Sequence, residues 1–185
     1  MLRKFACLLT VAIALSCVAR AQAQLPNGAA NREATLNYLM QLKSIGERFV
    51  REAEKAEAAN DPAQFAKVAR QAATSILQLP TRGVDPEVVE CARKTAILHN
   101  RLARLVDMAA ELAPGRSFLE GLVAGAIDGV VGQPIVLPML LGRKLEIANQ
   151  LQRELPRLER DAEQLAERWV EVLTRVQRQY NINLD

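Results

Sequence analysis

Between Ala148 and Val176 the apolar side chains return in strict alternation of three and four residues: Ala148, Leu151, Leu155, Leu158, Ala162, Leu165, Trp169, Val172 and Val176. At 3.6 residues per turn such positions share one side of a helix, and no strand of period two can gather them. The stripe runs for more than four heptads, which predicts a coiled-coil-like C-terminal helix over about Lys144 to Gln179, packed within the chain or between chains. Its outer face is charged and offers one supporting pair, Glu171 with Arg175. Pro156 lies inside the stripe; lacking an N–H, it should kink the helix or start it afresh.

The same period organises the rest of the chain. A first helix is expected from Asn31 to Ala59, with Leu39, Leu42, Gly46, Phe49, Ala53 and Ala56 on one face. Asn60 ends it, and Asp61-Pro62 starts a second, because aspartate is a good N-cap and proline suits the first helical position. Phe65, Val68, Ala72, Ile76 and Leu79 form its stripe, and Pro80 stops it. Asp85-Pro86 repeats the device and opens a third helix to about Leu112. That helix shows two adjacent stripes: Val88, Cys91, Thr95, Leu98, Leu102, Leu105, Ala109 and Leu112 beside Val89, Ala92, Ala96, His99, Ala103, Val106 and Ala110. A face that wide suits neighbours on two sides, so the third helix should be the most buried. Alanine, leucine, glutamate, arginine and glutamine dominate and aromatics make up only 4% of residues, which leaves no strand. The fold class is all-α: an antiparallel bundle of about four long helices spanning 31–180 as a single domain, with a short glycine-rich apolar helix or hairpin inserted.

That insert, residues 118–142, departs from the pattern. Ala113-Pro114-Gly115 breaks the chain and Ser117 to Glu120 reads as a capping box. Gly121, Gly125 and Gly129 then repeat at four-residue spacing, a glycine zipper on one helical face. Each glycine costs about 1 kcal/mol against alanine inside a helix, so three in register imply a reason. Bare backbone permits close helix–helix approach. Three uses are open: a membrane-inserting or re-entrant hairpin, a self-association face, or a tightly packed connection inside the bundle. Glu120 and Asp128 count against spanning a bilayer, and Pro134 and Pro138 interrupt the apolar chain beyond them.

The start of the chain is a targeting segment. Basic Arg3 and Lys4, an apolar run of about 13 residues from Phe5 to Cys17, and the exit Ala21-Gln22-Ala23 read as a secretory signal peptide over 1–23. The run falls short of the ~20 residues a spanning helix needs. Residues 24–30 form a flexible leader and 181–185 a frayed tail. The protein is therefore expected to be exported, to the periplasm or outside the cell; attachment as a lipoprotein through Cys17 is the minor alternative. Loss of Arg3, Lys4 and Arg20 levels the 24 basic residues of the chain against its 21 acidic ones. A neutral surface with scattered charge lacks the footprint that phosphate backbones require, so nucleic acid is not an expected partner. Cys7 and Cys17 leave with the signal, and Cys91, alone, cannot form an intramolecular disulfide. It reads as a small buried apolar residue, or else as a link between two chains.

Little here points to chemistry. His99 is the single histidine, which removes haem attachment through Cys-x-x-Cys-His and di-iron binding through paired Glu-x-x-His motifs. Cys91 and His99 stand eight residues apart on one helix, about 12 Å of rise, too far for a dyad. Ser44, Ser75 and Ser117 lie in no nucleophile motif. His99 is expected to be structural, hydrogen-bonded to a neighbouring helix. Glu54 with Glu57, Glu87 with Glu90, and the ridge Glu159, Glu163, Glu167 and Glu171 read as solvated faces rather than cation sites. No catalytic residue, metal or cofactor is assigned.

The reading that results is an exported, non-enzymatic helical protein acting through protein–protein or membrane-surface contact. Its candidate interaction face comprises Gly121, Gly125, Gly129, Leu151, Leu158, Leu165 and Trp169. The expected partner is a second copy or another helical protein, with peripheral membrane contact through 118–142 as the other route. The alternative is a carrier of a small apolar ligand, its cavity lined by the third helix and Ile135–Leu141. A hydrolase built on His99 is a distant third.

Overall fold

The computed structural model describes residues 29–112 and 138–180, and every regular element among them is helical. Four helices follow one another: α1 (Ala29–Ala58), α2 (Pro62–Leu77), α3 (Pro86–Leu112) and α4 (Pro138–Tyr180). Each packs against the next in the chain, with α2 and α3 in the closest apposition. The expected all-α bundle is the observed fold. The signal 1–23, the leader up to residue 28, residues 113–137 with the glycine zipper, and the tail 181–185 lie outside the described residues.

Local chemistry sets the boundaries. At the end of α1, Asn60 takes a left-handed φ of 51°, a conformation asparagine tolerates. The turn is closed by Asp61 N–H to the Ala56 carbonyl at 2.8 Å and Asn60 N–H to the Glu57 carbonyl at 2.9 Å, which satisfies two carbonyls that the helix end would orphan. Asp61 then caps α2, its Oδ1 accepting from Gln64 N–H at 2.9 Å. Asp85 caps α3 likewise, accepting from Glu87 and Val88 N–H at 3.0 and 3.3 Å. Between them Gly83 turns the chain at φ 76°. A Cβ there would be strained by its backbone and would touch Ala34 and Asn31 at 3.5 Å.

One hydrophobic core unites the four helices. All nine positions of the last-helix stripe, Ala148 through Val176, are buried. The wide face of α3 is buried along both stripes from Val88 to Ala109, while Ile97 on its opposite side remains 55% exposed. In α1 the stripe is joined by Thr35, Tyr38 and Ile45, and Gly46 is only partly covered. The α2 face is mostly alanine: Ala66, Ala69, Ala72 and Ala73 beside Val68 and Ile76. Small side chains let its backbone come close to α3, which accounts for the tight apposition.

Three boundaries differ from expectation, and α2 ends at Leu77, two residues before Leu79. α1 begins at Ala29, two residues before Asn31. α4 begins at Pro138 rather than near Lys144 and continues unbroken through Pro156. Proline at the first helical position explains the earlier start. Pro156 is exposed, and the apolar positions on either side of it, Leu155 and Leu158, stay in register on the core. Burial of that stripe outweighs the loss of one backbone hydrogen bond.

Candidate functional site

The groups with most chemical capacity are held inside the bundle. His99 is buried, and its Nδ1 lies 2.8 Å from the Thr95 carbonyl one turn earlier on α3. The only role a carbonyl can play is acceptor, so Nδ1 carries the proton. Phe49 of α1 meets the imidazole edge to face with centroids 4.6 Å apart. Burial pushes the pKa of His99 below its ordinary value, against the smaller opposing effect of the Thr95 hydrogen bond. The expected hydrogen bond to a neighbouring helix is thus replaced: the bond stays within α3, and the neighbouring helix supplies an aromatic ring.

One turn before His99, Thr95 serves as a relay. Its hydroxyl donates to the Cys91 carbonyl at 3.0 Å and accepts from Trp169 Nε1 of α4 at 3.1 Å. This satisfies the indole N–H of the largest side chain in the core. Cys91 is free and 2% exposed, with burial pushing the thiol's pKa up. That is the packed, unreactive form of a cysteine, and it does not present a sulfur for linking chains.

A second polar cluster ties three helices at the start of α3. Asp85 is 5% exposed. Its own N–H donates to Thr35 Oγ1 of α1 at 3.0 Å, and its Oδ1 accepts from Arg175 of α4 at 2.7 Å. Burial alone would raise the Asp85 pKa. The Arg175 hydrogen bond and charge, with the Val88 and Glu87 N–H donors, outweigh it and hold the carboxyl below its ordinary range. Glu87 joins from the first turn, 2.8 Å from Arg168 and 3.7 Å from the Arg175 Nε. The expected Glu171–Arg175 pair does not form. Glu171 binds Arg168 at 2.8 Å instead, because Arg175 is drawn to the buried carboxylate of Asp85.

The ion pairs along α3 and α4 run antiparallel, Arg168 with Glu87 at one end and Arg143 with Glu111 at the other. Glu111 and Arg143, 2.7 Å apart, flank the points where the chain leaves α3 at Leu112 and re-enters at Pro138. The end of α3 and the first turns of α4 are therefore joined at one end of the bundle.

No family model, curated protein or solved structure matches the chain.

Of the sequence-derived interaction face, Leu151, Leu158, Leu165 and Trp169 are placed in the chain's own core. The stripe packs within the chain, so these four side chains serve the bundle rather than its surface. Gly121, Gly125 and Gly129 lie outside the described residues. The carboxylates Glu54, Glu57, Glu90, Glu163 and Glu167 are exposed, and among the described residues no three histidine, cysteine, aspartate or glutamate side chains converge on a point that could hold a metal ion.

Two recesses of the described surface lie away from α3. One lies on the outer side of α4 around Val170 and Thr174. The other, of about 530 Å³, runs between α1 and α2, with Ile45, Phe49, Val68 and Ala72 at its base. Thr35 at the Asp85 cluster carried no local sequence signal, because it acquires its role from a helix distant in the chain.

Proposed function

We propose that this is an exported, non-enzymatic helical protein that works by contact, with a second copy, another helical protein or a membrane surface, and that segment 118–142 is its contact element. The observation that carries this reading is where the helices on either side of that segment meet. The Glu111–Arg143 pair joins the end of α3 to the first turns of α4 at one end of the bundle, and the sequence between those helices holds the apolar, glycine-rich stretch. Contiguous apolar chain of this kind is what interfaces and membrane-surface elements use. The state of His99 and Cys91 supports the non-enzymatic part: the histidine is neutral and bonded to its own helix, and the thiol is buried. Among the described residues no helix is long and apolar enough to cross a membrane.

The test uses the chain from Gln24 onward, by analytical ultracentrifugation and by flotation with vesicles. A concentration-dependent dimer or larger assembly, or flotation with the vesicles, is the expected outcome. A monomer at all concentrations that stays with the soluble fraction would overturn the reading.

A further inference from the structure

His99 sits where α1 meets α3, and its surroundings accept only the neutral ring. Nδ1 already donates to the Thr95 carbonyl at 2.8 Å, so a second proton must go to Nε2. Among the described residues no acceptor meets Nε2. From α1 the imidazole faces the ring of Phe49, and Phe65 of α2 stands 6.3 Å from that ring. From α4, Trp169 reaches the neighbouring Thr95. Charged side chains flank these positions: Arg48 and Glu52 beside Phe49, Lys67 and Arg70 on α2, and Arg101 of α3 bound to Asp161 of α4. Glu52 is held by Lys55 at 2.8 Å, and Arg70 by Asp107 of α3. None of them sets the proton affinity of His99, which follows from burial and the Thr95 carbonyl. An imidazolium here would be a buried charge with no counterion and an unsatisfied N–H, a costly combination in a protein interior. A phenyl ring can attract a cation, but it supplies no countercharge.

We infer that His99 is an acid-operated latch on α1: protonation drives Phe49 off the imidazole and α1 away from α3, while α2, α3 and α4 stay assembled. The choice of α1 follows from how the helices are tied. α2 and α3 are in the closest apposition and are joined by Arg70 and Asp107. α4 buries its whole stripe and is joined to α3 through Arg101–Asp161, Glu111–Arg143, Glu87–Arg168 and Asp85–Arg175. Asp85, its carboxyl held below the ordinary range, keeps its charge in the mild acid that reaches His99. α1 meets α3 at the uncharged Thr35–Asp85 bond and at Phe49 on His99 itself. Opening hydrates the imidazole and restores its ordinary value of 6.5, so the open form gains on the closed one by up to about 30-fold at pH 5. It also uncovers Leu42, Ile45 and Phe49, which are buried in the closed bundle. This latch is separate from segment 118–142, and it stands or falls independently of the contact function.

Amide hydrogen exchange of the tag-free chain from Gln24 onward tests it, at about pH 7.5 and about pH 5, corrected for the intrinsic pH dependence of exchange. Opening should rise by up to about 30-fold in acid along α1, and by less than about threefold in the middle of α3 and of α4. The emission of Trp169, the single tryptophan, should hold its wavelength, because the α3–α4 interface stays closed. His99 is the single histidine, so its C2–H NMR line reports its charge directly and should titrate together with the loss of α1 protection. His99→Gln should leave α1 equally protected at both pH values; the NMR line comes from the parent, so the test survives a variant that does not fold. Unchanged α1 protection in acid, equal loss in all four helices, a histidine that titrates while α1 stays protected, or an undiminished acid response in a folded His99→Gln would each overturn the latch.

Discussion

His99 couples this bundle to pH. An unfolded-chain histidine titrates near 6.5, whereas burial lowers the value in the folded state. Below 6.5 the unfolded state therefore binds the proton more readily. The stability that neutral His99 contributes is complete above 6.5 and is lost as pH falls towards the folded pKa. Urea melts at about pH 7.5 and about pH 5 should show the parent weakening with acid, and His99→Gln should show a smaller difference. An identical pH response in both proteins would mean that the histidine is not buried neutral. Asp85 follows the same direction at lower pH, with a depressed carboxyl that stabilises above 3.8 and fails only in stronger acid, so the two windows separate. Asp85→Ala removes the cap of α3 and should cost about 0.5–2 kcal/mol for that alone. It also strips Arg175 of its buried partner. Asp85→Asn keeps an acceptor for the helix N–H groups and should lose less; a larger loss for the asparagine than for the alanine would contradict the capping role.

At the scale of the element, α3 is the centre of the fold. Leu102 and Leu105 lie in the middle of its wide face, 6% and 5% exposed, and Leu→Ala at either should cost about 2–5 kcal/mol. Ile97→Ala, on the exposed side of the same helix, should change stability by less than about 0.5 kcal/mol. Similar losses at all three in denaturant melts would displace α3 from the centre. Pro156 gives a test of opposite sign. It sits exposed inside a continuous helix, so Pro156→Ala restores a backbone hydrogen bond and should raise stability by up to about 3 kcal/mol. A lower melting temperature would mean that the proline's local geometry is needed for α4 to follow the core.

Across the whole molecule, what could be read in the sequence was what local physics specifies. The Asp61-Pro62 and Asp85-Pro86 starts are both real caps, and the nine-residue stripe of α4 is buried at every position. Periodicity places a side chain on a face, and capping places a helix end. Neither says which helix stands opposite. Thr35 accepts from the Asp85 backbone N–H across fifty residues, and Arg175 leaves its helical neighbour Glu171 for the Asp85 carboxylate across ninety. Only the assembled register creates those partners. Of the candidate interaction face, the leucines and Trp169 turned inward, while the glycines keep their interest because a small-residue ridge at four-residue spacing is costly to maintain without a neighbour.

Gly125→Ala addresses the contact function directly, with sedimentation and vesicle flotation measured beside a thermal melt on parent and variant. Alanine improves helix propensity by up to about 1 kcal/mol, so a ridge that serves association should leave the monomer equally or more stable. The assembled or vesicle-bound fraction should fall, because the added methyl blocks close approach. The contradicting result is a melt lowered by about 1–3 kcal/mol, as overpacking inside the bundle would produce, in a protein whose parent neither self-associates nor binds vesicles.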